Sequence, residues 1–277
     1  MRGLVLGAGG LAGIAWETGV LAGLAEEGMD VAATADRLLA TSAGSTVAAQ
    51  IGSGLPIAEL FRRQAEPALQ NHEAAPSPTA MIELMQTLAR LQAEYPDPFD
   101  LRRKIGELAL TAPTAATATE RLAVIAGRLP SHEWPERPLG VVAVDVHSGE
   151  HRVIDRNSGV GLVEAVAASC AVPGIWPLVE LDGHTYMDGA LRTSNNADLL
   201  TGQDAVLVVA PGADPALAEQ IALLERTGRA LAITPDEDAL AAFGPNGLDP
   251  AVRTPAAHAG RAQGRKLAAT VRDLWTA

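Results

Sequence analysis

One nine-residue stretch constrains the fold of this chain more than any other. Residues 37 to 45 read Arg37-Leu38-Leu39-Ala40-Thr41-Ser42-Ala43-Gly44-Ser45, and an Ala/Val-rich helical pattern runs on to about residue 53. A short apolar run, a small residue, then Thr-Ser-small-Gly and a helix predict strand, sharp turn and helix, with one hydroxyl at the apex. A serine there is lifted out of the sheet and faces a cleft instead of the core. The tight turn demands small neighbours, which Ala40, Ala43 and Gly44 supply. This is the logic of a nucleophile elbow, with Ala40 where the first glycine usually stands. Taken alone, a serine capping an ordinary strand–helix turn accounts for the segment equally well.

The pattern around this stretch alternates strands and helices. A buried strand is expected at residues 3–6, a turn at Gly7-Ala8-Gly9-Gly10 and a helix over 12–27 that stops at Gly28. Residues 55 to 130 carry no strand pattern and read as helices over 57–69, 79–94, 99–110 and 119–129. Strands resume at 139–144 and 151–154, followed by a helix at 160–170 and an irregular stretch at 179–187 that leads to Asp188. Further strands are expected at 205–210 and 230–234, with a helix at 215–226 between them and another from Thr254-Pro255 to about 275. The expected fold is a single α/β domain over residues 1–277. It has three layers, a mostly parallel central sheet with helices on both faces, and an all-helical insertion at about 55–130.

Composition narrows the function. The net charge of −12 disfavours nucleic acid and anionic membranes as partners, and leaves neutral lipids and small esters open. Cys170 is the only cysteine, so no intramolecular disulfide can form. In its apolar surroundings it reads as a small buried hydrophobe. With no signal peptide pattern and no apolar run of transmembrane length, a soluble, cytoplasmic protein is expected. Arg261, Arg265 and Arg272 share one face of the final helix and read as a solvated basic face, as Glu26-Glu27 and Asp236-Glu237-Asp238 read as solvated acidic surface. His147, His151 and His184 show no metal-ligand spacing with Cys or carboxylates, so no zinc site is expected.

Three features carry chemistry together. The glycines between the first strand and helix, Gly7-Ala8-Gly9-Gly10-Leu11-Ala12-Gly13, leave amides uncovered at a positive helix end, where a phosphate or an oxyanion can bind. A dinucleotide site would also want an acidic residue at the end of the second strand, and Thr41-Ser42 stands there instead. Ser42 is the second feature, on the same carboxyl edge of the sheet as the glycines. The third is Tyr186-Met187-Asp188-Gly189-Ala190, an aspartate before two small residues, which a plain turn also explains. A Ser–His–Asp triad would need a histidine after Asp188; only His258 qualifies, and it falls on the arginine face of the last helix.

In this order the motifs resemble the patatin-like phospholipases from the start of the chain to about Asn196. The resemblance takes in Leu4 to Gly10, Gly19-Val20-Leu21, Ala168 to Gly174, and Asp188-Gly189-Ala190 with Asn195 and Asn196. It implies a Ser–Asp dyad of Ser42 as nucleophile and Asp188 as general base, with the amides of Gly9, Gly10 and Leu11 as oxyanion hole. It also implies a lipid acyl ester as substrate and neither a metal nor an organic cofactor; a small acyl ester, and transient contact with a membrane surface, stay open as partners. The family usually carries Arg or Lys where Ala12 stands, and Gly where Ala8 and Ala40 stand. Acyl transfer to an alcohol, and lipid binding without catalysis, therefore stay open beside hydrolysis. The stripe of Met81, Met85, Leu88 and Leu91 reads as core packing, or as the lining of an acyl pocket.

Overall fold

The computed structural model describes residues 1–276. The first strand, β1 (Arg2–Leu6), runs into α1 (Gly10–Glu26), the short α2 (Val31–Thr34), β2 (Arg37–Thr41) and α3 (Ala43–Gly52). The helical segment holds α4 (Ile57–Ala65), α5 (Pro78–Glu94), α6 (Pro98–Ala109) and α7 (Ala118–Arg128). Its starts are written locally: Ser77 and Asp97 cap α5 and α6 ahead of a proline, and Thr117 with Glu120 forms a capping box on α7. Then follow β3 (Leu139–Asp145), β4 (His151–Ile154), α8 (Leu162–Ser169), β5 (Val179–Leu181) and β6 (His184–Asp188). After these come β7 (Ala205–Val209), α9 (Leu217–Leu224), β8 (Arg229–Ile233), α10 (Glu237–Phe243) and α11 (Arg253–Thr276).

The strands form one sheet, linked by hydrogen bonds in the succession β5-β6-β3-β2-β1-β7-β8, with β4 also paired to β3. The five strands β1, β2, β3, β7 and β8 are parallel; β4 and β6 pair antiparallel with β3, and β5 pairs antiparallel with β6. Side chains alternate between the two faces, as period two requires. Leu4, Leu6, Leu38, Ala40, Leu207 and Val209 join the larger core with α1, α3 and α8. Val5, Leu39, Val206 and Val208 point the other way, towards Leu200 and α9.

Two expectations need correction. Residues 179–187 are not irregular: β5 and β6 form a hairpin joined by Asp182 and Gly183, at φ +52° and +78°. Both central residues with positive φ define the turn that suits a twisted hairpin. The basic face of α11, exposed at Arg265 and Arg272, is not left to solvent alone. Arg261 and Arg265 both bind Glu26, and Arg272 donates to the Glu27 carbonyl, so these charges staple α11 to the end of α1. Asp236, read as acidic surface, caps α10 through Ala239 N–H. Beneath the staple the two helices touch backbone to backbone. A Cβ at Gly19 or Gly23 would collide with the Ala257 or Arg261 carbonyl, and one at Gly260 or Gly264 with the Trp16 or Val20 carbonyl.

Candidate active site

Register on β3 brings the two ends of the site together. Thr41 of β2 pairs with Val142, and Asp188 of β6 pairs with Ala143. Because β4 pairs with residues 141–144 on the opposite edge, β2 and β6 must share one edge of β3. They run in opposite directions, so their carboxyl ends meet head to head, and Ser42 follows Thr41 into the junction.

Ser42 has φ +52° and ψ −115°, a conformation costly for a non-glycine residue and one that persists only where its surroundings impose it. The surroundings are specific. Ser42 N–H donates to Ser169 Oγ at 2.8 Å, and Ser169 Oγ donates onward to the Val142 carbonyl at 2.6 Å. The Ser42 carbonyl accepts from Ser45 Oγ at 2.6 Å and Cys170 Sγ at 3.2 Å. Gly44 N–H donates to the Gly7 carbonyl, and a Cβ on Gly44 would strike the Leu6 carbonyl. Cys170 is buried as expected, and burial pushes its thiol pKa up.

Ser42 Oγ donates to Asp188 Oδ2 at 2.7 Å. Asp188 Oδ1 accepts from Ala190 N–H at 2.8 Å. Gly189 packs on the Val142 carbonyl, where a side chain would not fit. Asp188 is 2% exposed, and burial raises its pKa to about 6 against the pull of the Ala190 and Ser42 hydrogen bonds and of Arg121. Gly9, Gly10 and Leu11 lie on the same cavity at the start of α1. Their amides donate to no carbonyl or side chain among the described residues. Gly10 has φ +64°, and its free α-face abuts the Gly247 carbonyl. The structure thus brings all five sequence-expected site residues to one cleft, while His258 lies exposed against the Phe61 ring.

The family model of patatin-like phospholipase matches residues 4–201. The chain belongs to this family. Lipid hydrolysis is the activity that membership supports. Among solved structures, VipD from Legionella pneumophila is 15% identical with a TM-score of 0.51, over 97% of this chain and 67% of that one. That likeness is one of fold. The type III effector protein ExoU is also 15% identical, with a TM-score of 0.41, over 96% of this chain and 52% of its own.

In this patatin-like chain a cavity of about 370 Å³ surrounds Ser42 and Asp188. Three charged residues that the motifs did not reveal line it: Arg121, Arg128 and Glu73. Arg128 and Glu73 are buried and pair twice, Nε to Oε1 at 2.8 Å and Nη2 to Oε2 at 2.7 Å. Arg121 is 6% exposed and stacks 3.9 Å over the Trp176 ring, and its Nη1 has no hydrogen-bond partner among the described residues. Burial, and then Arg128, push its pKa down to about 10, so it is a cation at neutral pH. A buried guanidinium with a spare N–H is costly unless an anion or polar ligand completes it. Arg121 therefore brings to the cleft the positive charge that Ala12 does not. A signal for it existed: Arg121, Ile125 and Arg128 fall at helical spacing, and Ile125 is fully buried, so both arginines sit on the inward face of α7. The Met/Leu stripe divides. Leu91 is core, whereas Met81, Met85 and Leu88 line the cavity. No group of carboxylates, histidines and cysteine among the described residues could hold a metal ion. No helix of the described residues is long and apolar enough to cross a membrane.

Proposed function

We propose that the chain is a serine ester hydrolase of lipid acyl esters, with Ser42 as nucleophile and Asp188 as its general base. The 2.7 Å hydrogen bond from Ser42 Oγ to a buried carboxylate of raised pKa carries this reading. A carboxylate is ordinarily a weak base for a hydroxyl; one with a pKa near 6 sits closer to the working pH, where proton transfer is most effective. Ser42 Oγ attacks the ester carbonyl as its proton passes to Asp188 Oδ2. The oxyanion that forms is met by the amides of Gly9, Gly10 and Leu11. Collapse hands the proton to the departing alkoxide and leaves an acyl group on Ser42. Water then attacks the acyl carbonyl, gives its proton to Asp188, and the second collapse returns that proton to Ser42 and frees the acid. The Arg121 cation, fixed on Trp176, adds favourable potential for negative charge in the cleft.

A fluorophosphonate probe tests the assignment. Wild type is expected to be labelled and Ser42→Ala spared, with hydrolysis of p-nitrophenyl butyrate lost in parallel. Labelling that persists in Ser42→Ala, or a wild type that is never labelled, removes Ser42 from the role.

A further inference from the structure

A second cavity, of about 700 Å³, lies beside the first. Two elements divide them. Leu84 and Leu88 of α5 border both cavities. The segment 172–176 has two faces: Val172 and Trp176 line the chamber of Ser42, while Pro173, Gly174 and Ile175 line the second. The partition is thus one helical face and one five-residue loop.

Both chambers have many apolar side chains in their walls, and they differ in where their charged groups lie. Beyond the dyad, the first contains Arg121, Arg128 and Glu73, all buried, and hydrocarbon laid against such groups would strip them of polar neighbours. In the second, the buried lining is Pro76, Leu91, Ile105, Ala109, Pro173 and Ile175. Its charged residues, Glu83 and Arg90, are exposed. None of the buried polar atoms without a partner among the described residues belongs to it. Its hydroxyl residues, Ser77, Thr87 and Thr114, are not buried either, so the depth of the chamber offers a ligand apolar contact. Both volumes lie within the range of ordinary small-molecule sites.

We propose that the second chamber is the acyl-chain site. The hydrocarbon of an ester held at Ser42 crosses between Leu84 and Leu88 and lies against Leu91, Ile105, Ala109 and Ile175, which selects long unbranched acyl groups. The ester and its polar part stay with Arg121 in the first chamber. This assignment rests on the hydrolase reading, and the experiment separates the two.

Wild type, Ala109→Trp and Thr87→Trp are compared on p-nitrophenyl esters from C4 to C14, all below their critical micelle concentrations. Both replacements put an indole into the second chamber, Ala109 from α6 and Thr87 from α5. Binding of the fluorescent C18 fatty acid cis-parinaric acid is measured in parallel. In wild type, kcat/KM is expected to rise with chain length by up to about fourfold per buried methylene, the equivalent of about 0.8 kcal/mol. Each variant that keeps the wild-type melting curve should lower the C12-to-C4 ratio at least tenfold and weaken parinaric acid binding to match. A flat wild-type profile overturns the proposal, as does an unchanged ratio in a folded variant. If no ester is turned over but parinaric acid binds and the tryptophans weaken it, the chamber stands and the hydrolase reading falls. If wild type neither hydrolyses esters nor binds the fatty acid, both fall.

Discussion

Replacing Asp188 by Asn should stabilise the protein at pH 8 while abolishing its chemistry. Burial raises the Asp188 pKa from an ordinary carboxylate value of 3.8 to about 6, close to two units. At about 1.4 kcal/mol per unit, this is about 3 kcal/mol of preference for the neutral form in the folded state. The sign follows from which state holds the proton more tightly. Here it is the folded one, so the contribution is fully present below the unfolded pKa near 4 and is lost as pH rises through about 6. Wild type at pH 8 therefore carries a buried charge that the Asp188→Asn variant would not. Asn has the same shape; its oxygen can still accept from Ala190 N–H, and its amide can donate to Ser42 Oγ with the polarity of that bond reversed. The expected gain is about 3 kcal/mol at pH 8, or about 6–10 °C in Tm, and about zero at pH 4. It is a ceiling, because Arg121 loses a counter-charge. The difference between the two pH values isolates the residue. That matters because Glu17, buried under Gly7 with its pKa also raised by burial, gives wild type a pH dependence of its own. Urea unfolding of both proteins at both pH values, with ester turnover expected to fall about 10²- to 10⁴-fold, is the assay. Equal stabilisation at pH 4 and pH 8, or destabilisation at pH 8, would refute the claim that a buried charge is held there.

Three further outcomes follow from the same site and its supports. In wild type, kcat/KM should fall about tenfold per unit of pH below about 6, as the base takes up its proton; a limb near pH 4 would mean a solvated carboxylate. Arg121→Met removes a cation that lowers the Asp188 pKa, so this limb should move to higher pH, and the loss in rate should be greater at pH 6 than at pH 8. A limb that stays in place would show that the guanidinium does not act on the carboxylate. Gly264→Val should cost about 3 kcal/mol or more in urea unfolding, because its side chain would meet the Val20 carbonyl across a contact with no room to part; a loss under about 1 kcal/mol would show that α1 and α11 can separate freely.

Much of the site was legible because its parts are local. The elbow needs small residues within a few positions of Ser42, and the sequence writes them side by side. Asp188-Gly189 is short for the same reason, since only glycine fits against Val142. The amides of the first turn follow from glycines before a helix. What stayed hidden depends on long-range packing. Helical spacing puts Arg121 and Arg128 on one face of α7, but their partners come from elsewhere: Arg121 reaches Trp176, and Glu73 finds Arg128 across 55 residues. Glu26 is exposed, as expected, but its pairing was hidden because its partners Arg261 and Arg265 lie more than two hundred residues further on. The 179–187 hairpin was missed for a different cause. Its Asp182-Gly183 pair is a strong turn signal, but Val179–Leu181 is too short a strand for alternation to stand out.

The head-to-head meeting of β2 and β6 has a consequence for how such a protein can change. Thr41, which leads into the proposed nucleophile, and Asp188, the proposed base, are gauged against adjacent residues of a single strand, Val142 and Ala143, none of them in the α4–α7 segment. That segment supplies one side of the first chamber, most of the second and, through Arg121, one adjustment of the field. Its sequence can drift, or be exchanged for that of a relative, and alter what is accepted without detuning the proton transfer. Reactivity and taste are inherited separately.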